Sequence, residues 1–234
     1  MNLSFTRLGK LAEINLGDWE NRLLKMKDLR LDNAKLKTVP MRLFELMPNL
    51  ETLDLSSNNL TSIPVGLANS CRVLRILNVR CNSIKTIKSS TLRKLANSVL
   101  QFNISHNHLH TIDLSSLRLF KSTVNLSANA LATLQTTENR ERSIKSKSQT
   151  SFIANLDLSC NRICHLGGEL LDLLGPSLVS LNLSFNQIEE IEPSSQHSVC
   201  RLLKSLDMSN NGLRQLDCLS VSYCKQLPIL LASA

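Results

Sequence analysis

Residues 50–60 read Leu50-Glu51-Thr52-Leu53-Asp54-Leu55-Ser56-Ser57-Asn58-Asn59-Leu60, and residues 74–84 repeat the phrase as Leu74-Arg75-Ile76-Leu77-Asn78-Val79-Arg80-Cys81-Asn82-Ser83-Ile84. Both follow L-x-x-L-x-L-x-x-N-x-L, and they start 24 residues apart. Taking the second apolar position as a marker, the phrase recurs at Met1, Leu29, Leu53, Leu77, Phe102, Val124, Leu156, Leu181 and Leu206. The polar position holds Asn58, Asn82, Asn107, Asn129, Asn161, Asn186 and Asn211, with Thr6 and Ala34 in the first two copies. Leu227 and Leu230 begin a further copy.

Apolar residues two apart share one face of a strand, so Leu53 and Leu55 point the same way. The asparagine falls where the chain leaves the strand, and its amide both donates and accepts, so it suits the buried backbone of a turn. The second half of a copy, such as residues 40–47 with Leu43, Phe44 and Leu46, carries helix-like or 3₁₀-like apolar spacing. One copy cannot bury its own apolar face; stacked neighbours do that.

The phrase and its spacing resemble the leucine-rich repeats. The resemblance implies an α/β solenoid with a curved parallel β-sheet on the concave face. Short helical, 3₁₀ or irregular segments would form the convex face. A single domain of about nine repeats plus a partial tenth is expected for the 234 residues. Aromatic residues make up only 3%, in keeping with a thin core filled by leucine and isoleucine. Because the phrase is entered and left in mid-copy, a fragment truncated at both ends, or one segment of a longer protein, is expected.

Two irregularities stand out. The 32-residue step from Val124 to Leu156 contains a polar insertion, residues 135–151, expected to be flexible. Within it Arg140, Arg142, Lys145 and Lys147 make Ser143 a candidate phosphorylation site. The 22-residue step from Phe102 to Val124 puts Lys121 in a slot normally apolar, where it must snorkel or mark an irregular turn.

The net charge is +8, but the basic residues are spread along the chain with no Lys/Arg block interleaved with aromatics, so no nucleic-acid partner is expected. Seven scattered cysteines without a C-x-x-C pair, and a start without the apolar run of a signal peptide, argue for a reducing, cytoplasmic setting. No apolar stretch is long enough to span a membrane. N-x-S/T triplets occur at Asn2, Asn59, Asn103, Asn125 and Asn182 and read as ordinary outward residues rather than glycan acceptors.

Catalytic motifs are missing: there is no phosphate-binding G-x-x-x-x-G-K-[ST] loop, kinase signature or G-x-S-x-G. His106, His108 and His110 alternate but straddle a turn, and Cys160 and Cys164 do the same, so neither set is expected to hold a metal. No enzyme activity, cofactor or metal is expected. The outward strand residues therefore define the candidate site. Arg30, Asp54, Arg75, Arg80, His106 and Phe185 are the candidate contacts for another protein or another domain of the parent chain, since arginine and aromatic anchors contribute most to such interfaces.

A narrower resemblance rests on residues 194–203 (Ser-Ser-Gln-His-Ser-Val-Cys-Arg-Leu-Leu), on Leu206-Asp207-Met208-Ser209-Asn210-Asn211, and on the short copy at residues 119–131. These resemble repeats of animal leucine-rich-repeat kinases of the Roco family. That resemblance implies a parent with a Ras-like GTPase, a linker domain and a serine/threonine kinase, with the repeats as a regulatory arm. The third expectation is a fragment of an extracellular receptor ectodomain.

Overall fold

The computed structural model describes residues 20–135, 151–167, 170, 173–191, 202–213 and 229–231. It resolves into two compact units, residues 1–108 and 109–234.

The first unit runs α1 (Glu20–Leu23), β1 (Asp28–Arg30), α2 (Met41–Glu45), β2 (Thr52–Asp54), α3 (Leu67–Ser70), β3 (Ile76–Asn78), α4 (Ser89–Leu95) and β4 (Gln101–Asn103). The strands pair in parallel in chain order, with Leu29, Leu53, Leu77 and Phe102 in one register. All four markers are fully buried, while the residues on either side of each are exposed or half-exposed. This is the alternation that the period-two spacing predicts. The short helices close the other side of each coil by burying Leu43 and Phe44, Leu67, and Leu92 and Leu95.

The second unit runs β5 (Thr111–Asp113), α5 (Leu114–Leu117), β6 (Thr123–Asn125), β7 (Thr133–Gln135), β8 (Asn155–Asp157), β9 (His165–Leu166), β10 (Ser180–Asn182), β11 (Glu190–Ile191), β12 (Ser205–Asp207) and β13 (Ile229–Leu231). Its main sheet is parallel, β6-β8-β10-β12-β13, aligning Val124, Leu156, Leu181, Leu206 and Leu230. Leu230 thus takes the marker position expected of the last copy. Two further parallel pairs, β5 with β7 and β9 with β11, lie outside the main sheet. The sequence reading did not anticipate them. β-Branched Thr111, Ile112 and Thr133 after the turn favour extended backbone over a helix there.

The asparagines staple successive coils. Asn58 Oδ1 accepts from the Ala34 and Leu36 amides (3.1 and 2.9 Å), and its Nδ2 donates to the Leu31 and Leu55 carbonyls (2.8 and 2.9 Å). Asn107 bridges Ile84 and Val79 in the same way, and in the second unit Asn161 bridges Leu131 and Leu126. Asn186 bridges Ile163 and Leu158. Each amide satisfies backbone groups that the turn would otherwise leave buried and unpaired.

Two details bear on the irregular region. Lys121 is exposed at a bend over residues 121–122, the irregular turn that is one of its two expected outcomes, and Phe120, one residue earlier, is fully buried. The turn lets an aromatic ring be buried and leaves the ammonium in water. Of the insertion expected over 135–151, the structure describes the two end residues, and residues 136–150 lie outside the described ones. Gln135 belongs to β7, and Ser151 is buried with its Oγ bonded to Ser177 Oγ at 2.9 Å. Ser143 and the four basic residues around it lie outside the described residues, as do residues 194–201.

Candidate protein-binding face

In the first unit, strand register sets the outward side chains in rows. Arg30, Asp54, Asn78 and Asn103 form one row, and Asp28, Thr52, Ile76 and Gln101 form another. Just before the strands, Lys27 Nζ meets Glu51 Oε1 at 2.8 Å. The hydrogen bond and charge of Glu51 raise the Lys27 ammonium, and Lys27 in turn holds the Glu51 carboxyl below its usual range. Both groups are open to water, so the pair is screened. On the next coil the Leu100 amide donates to the Arg75 carbonyl at 2.8 Å. This places exposed Arg75 beside Ile76 and Leu100, each 36% exposed. A guanidinium next to exposed aliphatic carbon is the composition of a protein-interface anchor. Arg80 is also exposed, and its amide donates to Asn78 Oδ1 at 3.1 Å.

The structure separates the candidates into three positions. Arg30 and Asp54 lie on strands, and Arg75 and Arg80 flank β3. Asp54 is partly committed, because its Oδ1 accepts from the Ser56 amide at 2.9 Å. His106 and Phe185 lie on neither strand: both have left-handed backbone, with φ of 52° and 55°. They share that conformation with Ser57, Cys81, Ala128, Cys160 and Asn210, each the residue immediately before a ladder asparagine. A bulky residue rarely adopts it. Phe185 does so while 57% exposed, so its ring serves neither the core nor the turn. It belongs to the second unit, and the four charged candidates and His106 belong to the first.

The outward row one residue beyond the markers of the second unit has a turn-forming role that the sequence reading did not assign to it. Oδ1 of Asn125, Asp157, Asn182 and Asp207 accepts from the hydroxyl of the serine two residues on, at 2.7, 2.7, 2.8 and 2.7 Å. The serine amide donates to the same oxygen in each case. These are Asx turns that end the strand. Asn and Asp serve equally, which gives the N-x-S triplets at Asn125 and Asn182 a structural cause. The alternating Asp-x-Ser and Asn-x-Ser copies were the available signal.

Among the described residues no cluster of histidine, cysteine and carboxylate is arranged to hold a metal, and no helix is long and apolar enough to cross a membrane. His106 and His108 are both exposed. Cys160 and Cys164 are exposed free thiols, while Cys71 is buried and its thiol is pushed up to about 11 by loss of solvent.

Comparison with known proteins agrees with this architecture. A model described as "Leucine Rich repeats (2 copies)" matches residues 48–94 and 176–221, and one described as "Leucine rich repeat" matches residues 25–70. Podocan of Mus musculus is 30% identical over 223 residues, covering 91% of this chain and 31% of podocan. Keratocan of Coturnix japonica is 27% identical over 225 residues, 92% of this chain and 58% of keratocan. Leucine-rich repeat-containing G-protein coupled receptor 5 of Rattus norvegicus is 30% identical over 114 residues, 48% of this chain and 12% of the receptor. The chain thus spans about a third of podocan. None of these relatives is a Roco kinase. Among solved structures, a TLR13–ssRNA13 complex superimposes with a TM-score of 0.71 at 25% identity, over 86% of this chain and 27% of that one. The Leptospira interrogans repeat protein LIC12759 gives 0.66 at 23% identity, over 91% and 56%. The matched models are repeat models, so this segment is a repeat domain. The chain belongs to the leucine-rich-repeat superfamily.

Proposed function

We propose that this chain is a protein-binding module and that its partner lies across the outward residues of the parallel strands. One observation carries the reading. Each coil spends its apolar residues on the buried side and presents a varied set outward, with Arg75, Ile76 and Leu100 adjacent and exposed on a rigid backbone. A preformed surface of this kind loses little ordering entropy on binding. The test is capture of partners by wild type, by Arg75→Ala/Arg80→Ala and by Phe185→Ala, with the outer-face Arg42→Ala as reference. Loss of a partner from Arg75→Ala/Arg80→Ala or from Phe185→Ala, each read for its own unit, and its retention by Arg42→Ala, is the expected result. Unchanged recovery by all variants defeats the proposal.

For the compartment, we favour a receptor-type, extracellular placement over the cytoplasmic one expected from the cysteines. The support is that one relative is by name a receptor aligned over 114 residues. The free state of Cys71, Cys81, Cys160 and Cys164 favours the cytoplasm instead. Mass spectrometry of the chain from its native source separates the two: glycan mass on Asn59, Asn103 or Asn125 supports the first, and bare asparagines with reduced thiols support the second.

A further inference from the structure

Acidic residues are distributed unevenly along this chain. From Leu55 to Ile112 there is no aspartate or glutamate. Within the first unit that stretch, residues 55–108, carries seven cations: Arg72, Arg75, Arg80, Lys85, Lys88, Arg93 and Lys94. All seven are exposed. The preceding coil differs, because there Lys25, Lys27, Arg30, Lys35, Lys37 and Arg42 are interspersed with Asp28, Asp32, Glu45, Glu51 and Asp54. Two successive coils therefore form a belt with no carboxylate of its own; Glu51 of the coil before them acts on Arg75, and the outer-wall cations Lys85, Lys88 and Lys94 add to a positive potential of the kind that draws in polyanions.

The belt also has an entry point. On the outer side of these coils, where the loop before α3 meets the segment leading into α4, lies a cleft of about 360 Å³. Its polar lining includes Lys88, Lys94, Ser62, Thr86, Thr91 and Asn69. Lys94 Nζ is held at this rim by Asn69 Oδ1 at 2.9 Å. Lys85 sits two residues beyond the strand-end asparagine turn, on the way to the cleft, and is exposed. The cleft thus brings two ammonium groups together with hydroxyl and amide groups, beside an apolar lining that includes Ile63, Pro64, Val65 and Ile87. The polar groups match a ligand that carries anionic oxygens and neutral hydroxyls together. Phe44 and Phe102 are fully buried, and the exposed rings of the belt, His106 and His108, are not among the residues that line the cleft. The cleft therefore offers no ring on which an unpaired nucleobase would stack, which is the usual means of holding single-stranded nucleic acid.

We propose that the carboxylate-free belt of residues 55–108, entered at the outer-wall cleft between Lys88 and Lys94, binds a sulfated polysaccharide. Ammonium groups pair with sulfates, and the serine and threonine hydroxyls and the Asn69 amide meet sugar hydroxyls. The cleft end of the belt can be tested apart from the protein-binding reading, because Lys88 and Lys94 line the outer-wall cleft, whereas Arg75 and Arg80 are shared with that reading.

The test uses the full chain and a size-fractionated heparin oligosaccharide as probe. Binding is measured by titration at several salt concentrations. A double-stranded DNA and a single-stranded RNA of equal charge serve as parallel probes. The belt variant is Lys85→Ala/Lys88→Ala/Lys94→Ala. The charge-matched reference is Lys25→Ala/Lys37→Ala/Arg42→Ala, which removes the same charge from the coil rich in acids. The expected result is heparin binding that weakens steeply with salt and falls about tenfold or more in the belt variant, with a shallower salt slope. The reference variant changes little, and the unfolding midpoints of both match wild type. Equal losses in the two variants would show that affinity follows net charge alone and would overturn the proposal. So would tighter binding of DNA or RNA than of heparin, or no heparin binding at low salt.

Discussion

The side-chain amide of Asn82 donates to the carbonyl of Leu55, 27 residues earlier in the chain, at 3.0 Å. The same nitrogen donates to Val79 in its own coil at 3.0 Å, and its Oδ1 accepts from the Leu60 amide at 2.9 Å. One buried side chain therefore fixes the spacing of two strands and the turn between them. The coil-to-coil register follows from this contact as much as from the leucines.

Asn82→Leu strands the Leu60 amide, while the Leu55 and Val79 carbonyls keep the side-chain amides of Asn58 and Asn107. A buried unpaired polar group costs roughly 1–3 kcal/mol, so destabilisation within that range is expected. Urea denaturation followed by circular dichroism measures it. A loss within error of wild type would show that the ladder contributes nothing to stability.

Leu77 is fully buried in the middle of the first unit, between Leu53 and Phe102 in register. Leu77→Ala is expected to lower stability by about 2–5 kcal/mol, because the stacked coils on either side restrict collapse of the cavity. The exposed Val65→Ala, 74% exposed in wild type, should remain within about 0.5 kcal/mol of it. Equal effects at the two sites would contradict the burial described above.

Phe185→Gly and Phe185→Asn both place at a φ of 55° a residue that tolerates it better. Stability is expected to stay level or rise slightly, while partner capture falls. Thermal unfolding and the capture assay, run together, decide the matter. A marked drop in midpoint for both variants would assign the ring a packing role instead.

Thiol chemistry should divide the described cysteines. Exposed Cys160 and Cys164 should react with a maleimide within the native state, and buried Cys71 only on unfolding. The Cys71 thiol titrates at about 11 in the fold against 9.0 as a free group. Its proton is held more tightly in the folded state, so its contribution is complete below pH 9 and declines as pH rises toward 11. Cys71→Ala should flatten that alkaline slope, although it also opens a cavity that lowers stability at every pH. Stability measured from pH 7 to 11 in both forms separates the two effects.

The Lys27–Glu51 pair supplies the opposite case. Glu51 is held low and Lys27 high, so any contribution is present between the two titrations and fades as pH falls through the Glu51 range or rises through that of Lys27. Both groups are open to solvent, and Glu51→Gln should leave the unfolding midpoint unchanged at physiological salt. A clear drop on that substitution would show a coupling stronger than the exposure allows.

Legibility along the chain varied with the range of the interaction. Leu53, Leu55 and Asn58 could be read because strand period and turn position are local, and stacking repeats them. At Lys121 the phrase leaves two outcomes open, a snorkelling side chain or an irregular turn; desolvation decides for the turn, with the ammonium in water and Phe120 buried beside it. Asn125 and Asn182 were read as side chains merely facing outward, because N-x-S is ambiguous on paper. Only their bonds to Ser127 and Ser184 place them in turns. His106 and Phe185 were assigned to the binding surface by position in the phrase, but nothing in one sequence announced their left-handed backbone.

By itself the sequence determined the repeat unit, the inward and outward faces and the identity of the stapling asparagines, because each depends on residues within one copy or on their recurrence. The tertiary structure decided which outward groups are already engaged, as with Asp54 and Lys27. It placed Arg75 against Leu100 and put Lys88 and Lys94 on one cleft. Those facts depend on contacts between residues a full coil apart, and such distances are set by how coils stack rather than by the order of residues along any one of them.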